Sequence, residues 1–328
     1  MNFPHRQRGV ALLIALLAVA LAVILIASLL DRGELAFART RNALRGEQAI
    51  AYSEGMEAYA AQVLQRDREE NPNLDTFSDA WAIPLPPQEV PGGRISAQMS
   101  DLNGCFNLNN LAPKQPEIWH KRMQNLLVAL QLDPSLSGAI IDWIDPDSSI
   151  NTEGGAEDNA YLAQPIPYRT ANRVFAHVSE LRLVRGVSGE VYARLAPEVC
   201  ALPPGTTINL NTASAAVLMS LDSRMTAVLA ERIRQNRQAR WTSVATALDE
   251  VAQQGVNNID QAGLSVTSSY FLARGEITLD GVPFSFSSVI ERSAGGANSP
   301  GGIHIFARSR GGEDVPDGVL ANALNQPR

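Results

Sequence analysis

Arg8-Gly9-Val10-Ala11-Leu12-Leu13 is the step at which a short basic leader, residues 1–9, meets an apolar run that continues to Leu30. From Val10 to Leu30 the chain is apolar for 21 residues, broken only by Ser28. As a helix rising 1.5 Å per residue, that run is about 31 Å long, the thickness of a hydrocarbon core. A cleavable secretory signal has a shorter apolar region, about 7–15 residues, followed by a small-residue cleavage site. Residues 10–30 therefore read as a transmembrane helix, with a generic signal anchor as the plainer alternative. His5, Arg6 and Arg8 precede the run, while Asp31 and Glu34 follow it with one Arg32 between. The positive-inside bias puts the N-terminus in the cytoplasm and the rest of the chain on the far side of the membrane.

The 328 residues suggest about two domains, and 45% hydrophobic with 19% charged residues describes a globular chain. Lys plus Arg number 27 against 34 for Asp plus Glu, a formal charge of −7. Such a chain lacks the phosphate attraction behind non-specific nucleic-acid binding, so no nucleic-acid partner is expected. Four histidines and two cysteines exclude a zinc ribbon or a Cys/His cage. Beyond a membrane anchor, Cys105 and Cys200 read as a disulfide, with two buried thiols as the alternative. The bond would close 200 − 105 = 95 residues, for which chain entropy gives roughly 4–5 kcal/mol.

Helical character continues past the membrane. Ala49, Tyr52, Met56, Tyr59 and Val63 form one apolar stripe at helical spacing. No proline occurs between Val10 and Pro72, so the helix is expected to end near Arg68. The leader step resembles the class III signal of type IV pilins and pseudopilins. That resemblance implies cleavage after Gly9 by a prepilin peptidase, methylation of Val10, and retention of the apolar helix in a bacterial inner membrane, with the rest of the chain in the periplasm. Members of that family carry Glu as the fifth residue of the mature chain, whereas here it is Ile14. The departure is the peculiarity of the K-type minor pseudopilins of type II secretion, and the resemblance narrows to them.

Strand signals flank a helical middle. Arg94 to Ser100 alternates, with Ile95, Ala97 and Met99 on one face, and Asp101-Leu102-Asn103-Gly104 turns into a strand over Cys105 to Leu108. Phe271, Ala273, Ile277 and Leu279 alternate up to Asp280-Gly281, a preferred hairpin turn. Phe284, Phe286 and Ile290 return, and Ile303 to Ala307 could add a strand. Between these strands, Pro116 opens a segment with Trp119, Met123, Leu126, Leu127 and Leu130 at helical spacing, and Ser179, Ser188, Ser223 and Ser243 are placed to cap short helices. The expected class is α+β: a pilin-like long N-terminal helix on a small antiparallel sheet, interrupted by a large all-α domain. The residues divide as 1–9 leader, 10–30 membrane helix, 31–110 helix and first strands, 111–268 inserted helical domain, 269–308 remaining strands and 309–328 a flexible tail. The stretches Tyr168 to Asn172 and Ser179-Glu180-Leu181 also resemble the K-type pattern.

Ile208-Asn209-Leu210-Asn211-Thr212-Ala213 resembles the opening of helix-hairpin-helix modules that bind DNA backbone. Those modules continue with a Gly-containing hairpin, but this chain has Leu221-Asp222-Ser223-Arg224-Met225 and loses the close approach to phosphate. A scaffold use of the same fold is expected instead.

Between Arg122 and Arg169 there is no Lys or Arg, yet Asp133, Asp142, Asp145, Asp147, Glu153, Glu157 and Asp158 fall there. Packed carboxylates must protonate, stay solvated or bind a hard cation, and oxygen-only ligands favour calcium. The loop is no EF-hand: counting from Asp145, the sixth-position glycine is Ile150 and the twelfth-position Glu is Ala156. The K-type resemblance implies a calcium-binding acidic loop in the helical domain. Asp145, Asp147, Glu153 and Asp158 are the favoured ligands, ahead of Asp142 and Glu157.

No Ser/His/Asp pattern, phosphate loop or metalloprotease motif supports an enzyme. The resemblance implies a minor pseudopilin that initiates and caps a periplasmic pseudopilus driving protein export. Its partners would be I-, J- and H-type pseudopilins, the prepilin peptidase and an inner-membrane assembly platform. The competing reading is a subunit of a DNA-uptake or adhesive pilus.

Overall fold

The computed structural model describes residues 7–151, 154–235, 241–293 and 301–310. Helix α1 runs from Gln7 to Glu70, and its contacts divide the chain into two units, residues 1–55 and 56–328. In the first unit, Val10 to Leu30 is exposed and the helix is long and apolar enough to cross a membrane. Ile14, 62% exposed, is one more apolar group on that surface.

The second unit starts with the last turns of α1. Two strands follow, β1 (Leu85–Val90) and β2 (Gly93–Asp101), paired antiparallel. β1 escapes an alternation reading because Pro86-Pro87 interrupts it and a bulge lies between Leu85 and Gln88. Prolines are tolerated there because β1 is a sheet edge. The sheet resumes with β7 (Tyr270–Leu279), β8 (Val282–Arg292) and β9 (Ile303–Arg310), in the order β1-β2-β7-β8-β9. Asp280 and Gly281 turn β7 into β8 with φ of +45° and +79°, the left-handed pair that makes Asp-Gly a natural hairpin. All four pairings are antiparallel, and β2 registers along β7 from Gly93↔Leu279 to Asp101↔Phe271.

One face of the sheet packs on α1 through Ala60, Leu64, Trp81, Phe271, Ala273 and Ile290. Trp81 meets Phe271 edge-on at 5.3 Å. The apolar stripe needs correction: Tyr59 is 47% exposed, and the seam follows Met56, Ala60 and Leu64, spaced i, i+4, where small Ala60 admits the sheet closely.

Cys105 to Leu108 also departs from expectation. Phe106–Asn107 (β3) joins no part of the main sheet but pairs in parallel with Val199–Cys200 (β4). Asn107 explains the break, since its side-chain carbonyl accepts from Asn109 N at 3.2 Å and from Leu202 N at 3.0 Å. Between these strands lie α2 (Ile118–Ala129), α3 (Leu136–Ile144), α4 (Asp158–Leu162) and α5 (Gly189–Leu195). After β4 come β5 (Ile208–Asn209), α6 (Ala215–Ser220), α7 (Ala227–Gln235), α8 (Val244–Gln253) and β6 (Leu264–Ser265). Ser188 and Ser243 cap α5 and α8 as expected. Ser179 instead lies inside a 3-10 turn capped by His177, and Thr226 rather than Ser223 receives an amide at the start of α7. These helices share a core around Phe106, Trp119, Met123 and Leu126, with Phe106 and Trp119 5.6 Å apart.

Cys105 and Cys200 are bonded, with Cα atoms 5.9 Å apart. Cys200 packs with Leu202 and with Tyr270 of β7, so the bond lies against the sheet. A second fastening is polar. Asn209, fully enclosed, donates to Asp75 O at 3.1 Å and to Ser268 Oγ at 2.7 Å, while its N–H donates to Asn103 O at 2.8 Å. The Ile208-Asn209 segment that resembles a DNA-module opening is thus engaged with the chain's own groups.

Candidate metal centre

Helix α3 explains why acidic residues gather. Its apolar positions Ala139, Ile140, Trp143 and Ile144 are buried, and that orientation turns Asp142 inward as well. The chain leaves the helix at Asp145, whose N–H still donates to Ile141 O at 3.0 Å. It returns at α4, where Tyr161 packs edge-on against Trp143 at 5.4 Å and Tyr168 closes on Tyr161 at 5.4 Å. The aromatic clasp pins both ends of the acidic loop.

Within the loop, carboxylate oxygens of Asp145, Asp147 and Glu157 lie within 4.8 Å of one another. Asp145 Oδ1 and Glu157 Oε1 are buried without a hydrogen-bond partner. An orphaned buried carboxylate oxygen is costly, and a cation satisfies it directly. Asp145 is pushed up to about 6 by burial, then by the charges of Asp147, Asp142 and Glu157. Burial, followed by the charges of Asp142 and Asp147, also raises Glu157. An all-oxygen set with unmet acceptors fits a hard divalent cation.

The other expected ligands are disposed differently. Asp142 lies fully buried beside the group, raised by its burial although both oxygens accept from Asn151 N at 3.1 Å. A Cβ added at Gly155 would collide with this carboxylate, so the loop's fold around Asp142 requires glycine. Asp158 is drawn out of the group by Thr170, whose Oγ1 donates at 2.9 Å, and by Arg169 at 3.2 Å. Glu157, ranked behind Asp158 from sequence, takes its place. Glu153 lies outside the described residues.

A second acidic group escaped the sequence reading. Asp67 at the end of α1 gathers with Asp75 and Asp79, all buried. Here the counter-charge belongs to the chain: Arg292 donates to Asp67 at 3.0 Å and to Asp75, and also to Ser268 O at 3.0 Å. Asp79 accepts from Thr76 N at 2.6 Å. The signal was invisible because Arg292 lies 217 residues from Asp75.

Residues 104–204 and 208–267 each match a family described as "Type II secretion system (T2SS), protein K". The type II secretion system protein K of Pectobacterium carotovorum subsp. carotovorum is 34% identical over 311 residues, covering 88% of this chain and 93% of the relative. This chain belongs to the type II secretion system protein K family. A protein K of Pseudomonas aeruginosa is 40% identical over 228 residues, covering 66% of this chain and 68% of its own. The fold is also similar to a chain in the crystal structure of the GspK-GspI-GspJ complex from enterotoxigenic Escherichia coli. There the TM-score is 0.72 at 28% identity, over 84% of this chain and all of that one. For a protein K chain, the two matched regions have clear structural meaning: 104–204 holds the acidic loop, and 208–267 carries the strands β5 and β6 with the helices between them.

Proposed function

We propose that this protein K family member is a structural, non-catalytic subunit that initiates and caps the tip of a periplasmic pseudopilus, anchored in the inner membrane by residues 10–30. I- and J-type pseudopilins are its proposed tip partners, with the H type beside them; a similar chain crystallised in a GspK-GspI-GspJ complex supports that reading. The observation that carries the tip placement is Ile14. In pilin-like assembly a carboxylate at that position pairs with the amine of a neighbouring subunit; an apolar side chain there cannot form that pair. The residue suits a subunit with nothing recruited ahead of it, and the bulk of the helical insert opposes stacking at every filament step. Labelled protein is expected at one end of overproduced pseudopili; label distributed along the filaments at many copies would refute tip placement.

Processing belongs to the same proposal. Cleavage after Gly9 by the prepilin peptidase leaves Val10 as a methylated N-terminus, with the apolar helix intact for the assembly platform to extract. The mass of protein extracted from membranes should correspond to a chain starting at methylated Val10. A chain starting at Met1, or after Ser28, would contradict it.

Calcium is the proposed cofactor. Asp145, Asp147 and Glu157 would hold it, with Asp142 as an inner support, and the two orphaned oxygens are the support for that reading. Bound there, the cation supplies charge neutralisation and ties the loop to α3; Asp158 and Arg169 stay with each other.

A further inference from the structure

We propose that the joint between the helical insert and the sheet is a pH-sensitive latch, with Asp101 as the group that takes the proton. Asp101 is the last residue of β2, where the chain leaves the sheet for the insert. The residue as a whole is half-buried, but its carboxylate lies inside the joint and collects donors from both crossings. Oδ1 accepts from Asn103 N at 2.7 Å. Oδ2 accepts from Ser268 Oγ at 2.6 Å, on the segment that returns to β7. It also accepts from Asn209 Nδ2 at 3.3 Å, in β5, and from Thr212 Oγ1 just beyond that strand. One carboxylate thus ties β2, the insert and the approach to β7 together.

Among the described residues none of these donors is charged, and that separates Asp101 from the carboxylates beside it. Arg292 of β8 serves Asp67 of α1 and Asp75. Asp79 accepts from the N–H and the hydroxyl of Thr76. Ser268 links the two groups, because its N–H donates to Asp75 Oδ2 at 2.7 Å while its hydroxyl serves Asp101. Asp101 is therefore an enclosed negative charge near a second one, Asp75, with the local guanidinium already committed. Burial is the strongest influence on it and, with the charge of Asp75, pushes its carboxyl up to about 6 despite the donors.

The geometry also accommodates the proton. A hydroxyl can donate or accept, and Thr212 Oγ1 has a second acceptor in Asn209 O at 3.4 Å. With a proton on Oδ2, Thr212 Oγ1 accepts it and turns its own hydrogen to Asn209 O, while Asn103 N and Ser268 Oγ keep donating. The joint keeps its contacts and loses the buried charge. A carboxyl raised above its ordinary 3.8 in the folded state stabilises most at low pH, and that contribution is lost as pH rises through about 6. The latch is thus firm below that pH and looser above it. The Cys105–Cys200 bond keeps the insert attached in both states.

The test follows hydrogen exchange at the amides that cross the joint, Leu102, Asn209, Ser269 and Tyr270, in the full chain in detergent. After correction for the intrinsic effect of pH on exchange, they should exchange about tenfold more slowly at pH 5 than at pH 8. That is the factor given at pH 5 by a carboxyl at about 6 when folded and 3.8 when released. Asp101→Asn, which carries no charge, should abolish the difference, whereas Asp67→Asn should keep it. A difference that persists in Asp101→Asn, or that Asp67→Asn removes, overturns the proposal. Should Asp101→Asn fail to fold, Thr212→Val takes its place, read by the NMR of aspartate labelled with carbon-13 at Cγ. Removing a donor to the ionised form should move one carboxyl midpoint near pH 6 to higher pH; if none moves, the proposal falls.

Discussion

Replacing Arg292 with Leu should cost about 3–5 kcal/mol, the usual penalty for removing one partner of a buried charge group. For a unit of this size that is a fall in melting temperature on the order of 10 °C. Arg292 is the guanidinium to which Asp67 and Asp75 are bonded, and all three side chains are nearly inaccessible. The loss should also depend on pH. Asp67 is pushed up to about 6, first by burial and then by Asp79 and Asp75, above its ordinary 3.8. A raised carboxyl favours the folded state most at low pH, and that contribution disappears as pH rises through about 6. Without Arg292 the carboxylates repel more strongly once ionised, so the variant should lose less at pH 5 than at pH 8. Thermal denaturation of both proteins across that range is the measurement; an equal loss at both ends would show that Arg292 acts through packing alone.

Calcium should raise the melting temperature of the metal-stripped protein. At a concentration 100 times the dissociation constant, binding to the folded state alone contributes about 2.7 kcal/mol, or roughly 5–10 °C. Chelator should reverse the shift. Glu157→Gln should abolish most of it, because Glu157 bridges the return of the loop to Asp145 and Asp147. Asp158→Asn should leave the calcium response nearly intact, because Asp158 is held by Thr170 and Arg169. That contrast separates a formed site from general attraction to an acidic surface. Identical melting curves with calcium and with chelator would leave only a solvated loop.

The pilin-like layout and the clustering of acidic residues between α3 and α4 were readable from local patterns. Val10–Leu30, the alternation through Ile277 and Leu279, and Asp280-Gly281 each depend on near neighbours, so their elements follow from short windows of sequence. What those windows leave undecided has a common origin in distant partners. Cys105 to Leu108 has strand character, but Asn107 and the remote strand β4 decide where it pairs. Asp158 carries the same charge as Glu157, and only the approach of Thr170 and Arg169 removes it from the group. Tyr59 fits the helical period, yet the sheet settles on the smaller Ala60. The Asp67–Asp75–Arg292 cluster has no local pattern, because its members meet only in the finished fold.

The insert's two ends converge on Asn103: its side-chain carbonyl accepts from Ser269 N at 3.0 Å and Tyr270 N at 2.9 Å, and its backbone carbonyl accepts from Asn209 N. Asp101 of β2 registers with Phe271 of β7, a separation of 271 − 101 = 170 residues. Closing so long a loop from an open chain costs several times the roughly 0.6 kcal/mol charged for each doubling of length. A folded helical domain offsets that cost, because it holds residue 270 beside residue 102, where Leu102 N donates to Tyr270 O at 2.9 Å. The two halves of the sheet meet at this corner in the register of a local hairpin, from Asp101↔Phe271 to Gly93↔Leu279. The insert thus does for β2 and β7 what a tight turn does for β7 and β8: it holds the ends of two sheet neighbours together.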